Sequence, residues 1–176
     1  MTMLRTLSFA QDRGGAAAAE LALVLPLLLT IMYGSLELGN YFMNEHSLVK
    51  AVRDGARFAA RQSFTNYTSC TGSPGGTVVD DTTKVVRNGY LSGGTLVTPR
   101  VEASNIYVTT SCKTDAGGQT MSGIYAGRDV NGDGQADAQI VTVRAEVPYQ
   151  PILGFFGFSV SGMELNARSE AAVAGM

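Results

Sequence analysis

A run of apolar residues near the amino terminus constrains this chain more than any other feature of its sequence. The run extends from Ala16 to Leu36 and contains a single charged side chain, Glu20. About 20 apolar residues in a helix are enough to cross the hydrocarbon core of a bilayer. An ionisable group inside such a run is energetically costly and by default marks a function. The sequence therefore predicts a membrane-spanning helix with one functional carboxylate near its beginning.

The small residues of this region stand on the wrong side of the run for a conventional secretory signal. Such a signal has its small-residue cleavage site after the apolar core, whereas Gly14, Gly15 and Ala16–Ala19 precede most of the run here. Cleavage between Gly15 and Ala16 would remove only a polar leader, residues 1–15, and leave Glu20 close to the new terminus. The new terminal amine could then neutralise this carboxylate in lipid. The alternative is an uncleaved signal anchor.

The helical pattern continues beyond the apolar run, but its character changes. Apolar side chains then recur at helical spacing, and charged side chains occupy the other faces. The recurring apolar positions are Tyr41, Leu48, Val52, Ala56 and Ala59. We therefore predict one long helix over about residues 17–62. Its transmembrane segment is assigned to residues 16–39 and its amphipathic continuation to residues 40–62. We interpret Glu37, where the helix leaves the membrane, as an ordinary interfacial carboxylate.

The remaining residues, 63–176, have the pattern of a small α+β domain. Asp80 and Asp81 can cap a short helix that runs to about Leu91, and three segments are typical of strands. These segments are 101–110, 140–147 and 158–172. We predict a small antiparallel sheet that follows the long helix. The apolar loop 152–158 belongs either to the core or to a partner-facing patch, and core is the more frequent outcome.

Composition argues against several classes of function. The formal net charge is −2, and no basic face dominates, so the sequence does not resemble that of a nucleic-acid-binding protein. His46 is the only histidine, which excludes a multi-histidine metal site. No GxSxG motif is present, and neither cysteine suggests a Cys–His pair. These observations favour a structural role over an enzymatic one.

The two cysteines, Cys70 and Cys112, allow one intramolecular disulfide. Outside the cytoplasm they would pair, closing a loop of about 40 residues and stabilising the fold by roughly 3–4 kcal/mol. The alternative is two unpaired thiols. Positive residues on both sides of the apolar run leave the membrane orientation open. The cysteine pair and the Gly-, Thr- and Ser-rich remainder favour an extracytoplasmic C-terminal domain.

One polar loop has the spacing of a calcium-binding segment. Oxygen-bearing side chains stand at positions 1, 3, 5 and 9, and a backbone carbonyl is available at position 7. The side chains at positions 1, 3, 5 and 9 are those of Asp129, Asn131, Asp133 and Asp137, and the carbonyl at position 7 is that of Gln135. Calcium requires several convergent oxygens, and Gly134 permits the sharp turn that gathers them. Ile140 replaces the bidentate glutamate of an EF-hand, so the prediction is a weak calcium site; the alternative is a polar hairpin turn.

Two stretches of the sequence carry a family resemblance. The first, about residues 13–62, begins RGGAAAAELALVLPLLL and includes VRDGARFAAR, and the second, about residues 140–173, includes VRAEVPYQPILGFFGFSVSGMELNARSEAAV. Both closely resemble the TadE-like pseudopilins of tight-adherence (Flp) pilus systems. Members of that family carry a glycine, four small residues and a glutamate at the head of a hydrophobic helix, which a prepilin peptidase cuts after the glycine. The resemblance implies a pilin-like fold, cleavage between Gly15 and Ala16, and a role for Glu20 in assembly.

The resemblance further implies a membrane-anchored pseudopilin or minor pilin. Such a protein would lie in the inner membrane with its C-terminal domain outside the cytoplasm, and could enter the surface pilus. Its partners would be the prepilin peptidase, other pilins, the pilus assembly machinery and membrane lipid, with no nucleic acid. The alternative is an unprocessed single-pass membrane protein with a calcium-dependent extracytoplasmic binding module. The mass of the mature amino terminus distinguishes the two.

Overall fold

The computed structural model describes residues 13–97, 101–114, 121–156 and 162–175. The elements within these ranges are, in order, helix α1 (Arg13–Ala60), helix α2 (Val78–Asn88) and strands β1 (Ile106–Thr114), β2 (Asp137–Pro148) and β3 (Glu164–Ala172). Short 3-10 turns occupy several of the connections. The predicted α+β class, with a long amino-terminal helix followed by a small antiparallel sheet, is confirmed. Most of the predicted leader, residues 1–12, lies outside the described residues.

Helix α1 is continuous over 48 residues, and its two halves have different surroundings. Every residue from Gly15 to Leu36 is exposed. The most apolar 18-residue window of the helix has a mean hydropathy of 2.0, and none of it is buried. By length and composition this half is a candidate membrane span. The second half instead buries one face, which includes Leu48, Val52 and Ala56, so a single helix that changes character along its length is observed.

Strand β2 is the centre of the antiparallel sheet, whose order is β1-β2-β3. Val143 of β2 lies opposite Val108 of β1 and Ser169 of β3. Successive side chains of a strand point to opposite faces, and on β2 the alternate residues are fully buried. These residues are Val141, Val143, Ala145 and Val147. They share one hydrophobic core with the second half of α1, so the helix whose first half is a candidate membrane span is also a structural part of the domain.

The strand bounds differ from the predicted ones in ways that pairing explains. Strand β2 begins at Asp137 rather than at residue 140, because Asp137 pairs with Thr114 at the end of β1. Strand β1 begins at Ile106 rather than at residue 101, because residues 103–105 form a 3-10 turn. That turn is closed by the Asn105 side chain, whose Oδ1 accepts from the Glu102 N–H at 3.2 Å. The last strand covers residues 164–172 of the predicted region, of which residues 158–161 lie outside the described ranges.

Helix α2 begins and ends earlier than the sequence predicts. It begins at Val78, so Asp80 and Asp81 lie in its first turn instead of capping it, where they still complement the helix dipole. It ends at Asn88, because Gly89 adopts a left-handed φ of 75° and donates its N–H to a carbonyl of the last turn. A left-handed residue after the last turn is the usual helix stop. The predicted end near residue 91 is therefore wrong.

Ile152 and Leu153, the two large apolar side chains of the loop 152–158 whose burial the structure describes, do not belong to the buried core. Ile152 is 59% exposed, and Leu153 is only partly buried. Residues 157 and 158 lie outside the described residues. The preference for a core position is therefore wrong for Ile152.

Candidate functional site

The predicted processing site lies at the beginning of α1. Gly15, Ala16 and Glu20 are all helical and exposed. Residues four positions apart share one face of a helix, so the backbone nitrogen of Ala16 and the side chain of Glu20 lie on the same side of α1. A chain that began at Ala16 would therefore carry its terminal amine and this carboxylate about one helical turn apart.

The predicted calcium loop is folded around the carboxylate of Asp129. Its Oδ1 accepts from the Gly132 N–H at 2.6 Å and the Asp133 N–H at 3.2 Å. Its Oδ2 accepts from the Gly134 N–H at 2.9 Å. Gly132 and Gly134 both have a φ of 81°, which a residue with a Cβ rarely adopts. These bonds wrap the loop so that the side chains of Asp129, Asn131 and Asp133 are neighbours: Asn131 Nδ2 donates to Asp133 Oδ2 at 3.0 Å.

Asp137 closes the base of this loop from the first position of β2. Its side chain is fully buried, and Oδ2 accepts from the Val130 N–H at 2.9 Å and the Asn131 N–H at 3.1 Å. Its other oxygen, Oδ1, is buried without a hydrogen-bond partner. A buried carboxylate oxygen without a partner is energetically costly. Position 9 of the loop therefore holds an oxygen whose bonding is incomplete.

Gln135 and Ile140 occupy positions 7 and 12 of the predicted calcium loop. Gln135 is exposed, and its N–H donates to Asp133 Oδ1 at 2.8 Å. Ile140 lies within β2 and pairs with Ser111 of β1 and with Ala172 of β3. Since position 12 is part of the sheet, it contributes nothing to the loop. The oxygen-bearing residues of the loop itself are therefore those at positions 1, 3, 5, 7 and 9.

The structure joins Cys70 and Cys112 in a disulfide that links residues 42 positions apart. The bridge ties the segment after α1 to β1. It also lies against the base of the polar loop, since Cys70 Sγ is 3.8 Å from Asp137 Oδ2. The two cysteines and Asp137 form a cluster of potential metal ligands, but sulfurs bonded to each other offer no thiolate. The chemistry of this region is therefore that of hard oxygen donors, which suits calcium.

Glu37 joins the helix to the domain at the point where α1 leaves its exposed half. Its carboxylate accepts from the hydroxyl of Tyr149, from the Ile152 N–H at 3.2 Å and from the Leu153 N–H at 3.1 Å. Asn40 Nδ2 donates to the same tyrosine hydroxyl at 3.0 Å. Burial, followed by the hydrogen bond to Glu37, raises the pKa of Tyr149. These bonds fix the turn at residues 152–156 beside the helix.

The interpretation of Glu37 as an ordinary interfacial carboxylate misses this role. Its partners lie more than a hundred positions away along the chain, and no local spacing points to them. The one available signal is the position of Glu37 directly after an apolar run of membrane length. His46 is exposed on α1.

One comparison with known proteins bears on the helix. Residues 15–57 match the model of a family described as TadE-like protein. The matched segment lies within α1 and includes Gly15, Ala16 and Glu20, so the resemblance predicted for the amino-terminal stretch is confirmed there. It indicates a protein associated with the tight-adherence pilus. The second stretch, residues 140–173, lies outside the match, so its resemblance stays a prediction. No curated protein and no solved structure matches the chain significantly.

Proposed function

We propose that this protein is a pseudopilin or minor pilin of a tight-adherence (Flp) pilus system, with a structural rather than an enzymatic role. The observation that carries the proposal is the exposed apolar half of α1 with one carboxylate, Glu20, four positions after Ala16. This segment lies within the match to TadE-like proteins. In the proposal, α1 holds the protein in the inner membrane, and the disulfide-linked domain lies outside the cytoplasm.

Removal of the leader gives Glu20 its function in this proposal. A prepilin peptidase cuts between Gly15 and Ala16 and leaves a positive amine at the helix start. That amine pairs with a Glu20 carboxylate, either its own or that of an adjacent subunit's helix. In lipid an unpaired charge is costly, so pairing between subunits favours helix association. The same carboxylate is easily inserted, because it lies near the helix end, where the cost is only a few kcal/mol.

The mass of the mature chain in the native host tests the processing step. We expect a chain that begins at Ala16, and we expect Gly15→Ala to accumulate as the uncut precursor. Gly14→Ala is the matched control, since it alters the neighbouring glycine and leaves the cleaved bond unchanged. An intact precursor in a host that contains an active prepilin peptidase would contradict the proposal.

The role of Glu20 is tested separately from processing. We expect Glu20→Ala and Glu20→Gln to be cleaved and to reach normal membrane levels, but to assemble no pili, because both remove the charge that pairs with the amine. Leu21→Ala is the control at the adjacent position. Wild-type piliation of the Glu20→Ala strain would show that the carboxylate has no part in assembly.

A second candidate function is calcium binding by the Asp129–Asp137 loop, and one observation favours it. Asp137 Oδ1 is buried and lacks a partner, and a cation at the loop would supply one. Asp129, Asn131, Asp133, the Gln135 carbonyl and Asp137 would hold the ion. These hard oxygen donors suit calcium. Without a bidentate glutamate the affinity should be low, in the approximate range of 10⁻⁴–10⁻³ M that is found in extracellular modules.

Titration of calcium into the full chain in detergent micelles tests this site. Binding to the folded state alone raises the melting temperature by mass action, so millimolar calcium should raise it. Asp129→Ala and Asp133→Ala should abolish the increase, whereas Asp54→Ala, which removes an exposed carboxylate on α1, should preserve it. If calorimetry detects no binding at millimolar calcium, the loop is only a polar turn.

A further inference from the structure

We propose that the globular domain rests on the membrane through an apolar foot, which we define as Leu38, Ile152 and Met163, and that the foot inserts between lipid headgroups. The inference rests on the membrane span of the proposed function, but on no step of pilus assembly. The three side chains are 55%, 59% and 44% exposed. They come from α1, the turn after β2 and the residue before β3. Leu38 and Met163 line one cavity. Ile152 lies beside it, in the turn that bonds to Glu37, and lines a neighbouring cavity with Asn40 and Asn44.

The length of the exposed half of α1 sets the depth of the foot. Residues 15–36 form a helix of about 33 Å at 1.5 Å per residue, which matches a hydrocarbon core of about 30 Å. Glu37 follows this segment directly, and its carboxylate accepts the Ile152 and Leu153 N–H groups. The turn that carries Ile152 is therefore held at the level where α1 leaves the hydrocarbon core.

The chemistry of the adjoining cavity matches a lipid boundary. A cavity of about 480 Å³ lies between α1 and this turn, and its lining includes Gly34, Leu38, Leu153 and Met163. Glu37 is the one ionisable carboxylate in this lining, and its oxygens already accept three hydrogen bonds. The lining also includes Tyr41 and Tyr149, and tyrosine is enriched at membrane interfaces.

Continuity with the span favours lipid over a second protein chain as the occupant. Gly34 belongs both to the exposed apolar half of α1 and to the cavity wall, and Leu38 extends the same surface toward the domain. Lipid that surrounds the span can therefore reach Leu38 and Met163 along the wall of this cavity, in which Glu37 is the one carboxylate. Amphipathic surfaces of this kind insert about 5–10 Å into the boundary between headgroups and acyl chains.

The absence of tryptophan from the sequence permits a direct test with single-tryptophan variants. Ile152→Trp and Met163→Trp place the reporter on the foot. Ile124→Trp is the matched control, because Ile124 is similarly exposed, at 55%, and lies at the opposite end of the domain. The adjacent Tyr125 donates its hydroxyl to the Val173 carbonyl. The next residue, Ala174, bonds to Ala60 at the end of α1 that is far from the foot. Each full-length variant is reconstituted into phosphatidylethanolamine–phosphatidylglycerol vesicles, with and without lipids brominated near the headgroup end of the acyl chain.

We expect brominated lipid to cause a several-fold loss of fluorescence for Ile152→Trp and Met163→Trp, and little loss for Ile124→Trp. Aqueous iodide should show the reverse order. Unhindered quenching of both foot variants by iodide would overturn the proposal. Protection from iodide without quenching by brominated lipid would also overturn it, because that result indicates that protein rather than lipid covers the foot. Flotation of each variant with the vesicles reports the span independently. If the foot variants float with the vesicles but show no quenching by brominated lipid, the foot proposal is wrong, whereas the membrane span and the proposed pilus role are unaffected.

Discussion

At the scale of single residues, Tyr67 joins the end of the long helix to the centre of the sheet. Its ring is almost completely buried, at 1% exposure, and its hydroxyl donates to the carbonyl of Ala59 at 2.6 Å. Its own backbone carbonyl accepts from Gln139 Nε2 in β2. One tyrosine therefore satisfies a carbonyl in the last turn of α1 and anchors the following segment to the central strand.

The burial of Tyr67 predicts a loss of stability at alkaline pH. Burial raises the pKa of its phenol from 10.0 to about 12, because the charged phenolate is poorly solvated inside the domain. A pKa that is higher in the folded than in the unfolded state stabilises the fold fully below about pH 10, and this contribution is lost as the pH rises through about 12. We expect the free energy of unfolding of the full chain in micelles to fall across this window.

Tyr67→Phe is the variant that checks this assignment. It should cost about 1 kcal/mol at neutral pH, because the buried hydroxyl's hydrogen bond is lost; the Ala59 carbonyl keeps the Gln62 N–H at 3.0 Å as a donor. The same variant should flatten the decline between about pH 10 and 12. Tyr90→Phe is the control, since Tyr90 is 68% exposed. An unchanged alkaline decline in Tyr67→Phe would assign it to other groups, such as Tyr125 and Tyr149, whose pKa values are also raised by burial.

At the scale of elements, a glycine on α1 sets how closely the two helices approach. Gly55 is buried against α2, and a Cβ at this position would overlap the Cγ2 atom of Val86. Gly34 and Gly39 lie on the same helix but have no heavy atom within 4 Å of an added Cβ. Of these three glycines, Gly55 is therefore the one that the packing of α1 requires.

This difference predicts opposite effects of the same substitution at two positions. Gly55→Ala should destabilise the domain by about 1–2 kcal/mol, because overpacking costs about 1–3 kcal/mol and exceeds the gain in helix propensity. Gly39→Ala should not destabilise it, and up to about 1 kcal/mol can be gained from helix propensity. Denaturant unfolding of both full-length variants in the same micelles measures the contrast. Equal stability of the two variants would mean that α2 shifts at little cost.

Elements that depend on local sequence patterns were predicted correctly, whereas features that depend on contacts between distant parts of the chain were not. The helix over residues 17–62 and the core of β2 were predictable, because their apolar periodicities of about 3.6 and 2 are local. The end of α2 was not, because three glycines follow within six positions of Asn88. All three have a positive φ, and only the structure shows that the helix already ends at the first of them. The role of Glu37 was not predictable either, since its partners belong to a turn beyond β2.

At the scale of the whole molecule, three sets of contacts attach the domain to helix α1. Directly after the candidate membrane span, Glu37 holds the turn at residues 152–156. In the middle, Leu48 and Val52 are fully buried in the core that α1 shares with the sheet. At the far end, the Ala174 N–H donates to the Ala60 carbonyl at 2.7 Å. The domain is therefore secured along the second half of α1, which suits a rigid unit on a membrane helix.

The disulfide predicts both a chemical state and a side of the membrane. Cys70 and Cys112 are the only two cysteines, so thiol labelling of the native protein should give either none or two labels. We expect no label on the chain extracted under denaturing conditions without reductant, and two after reduction, because disulfides persist only in oxidising compartments. Cys70→Ser combined with Cys112→Ser should lower the stability of the domain by roughly 3–4 kcal/mol through the loss of loop-closure entropy. Two labels without reductant would contradict both the bridge and the extracytoplasmic placement of the domain.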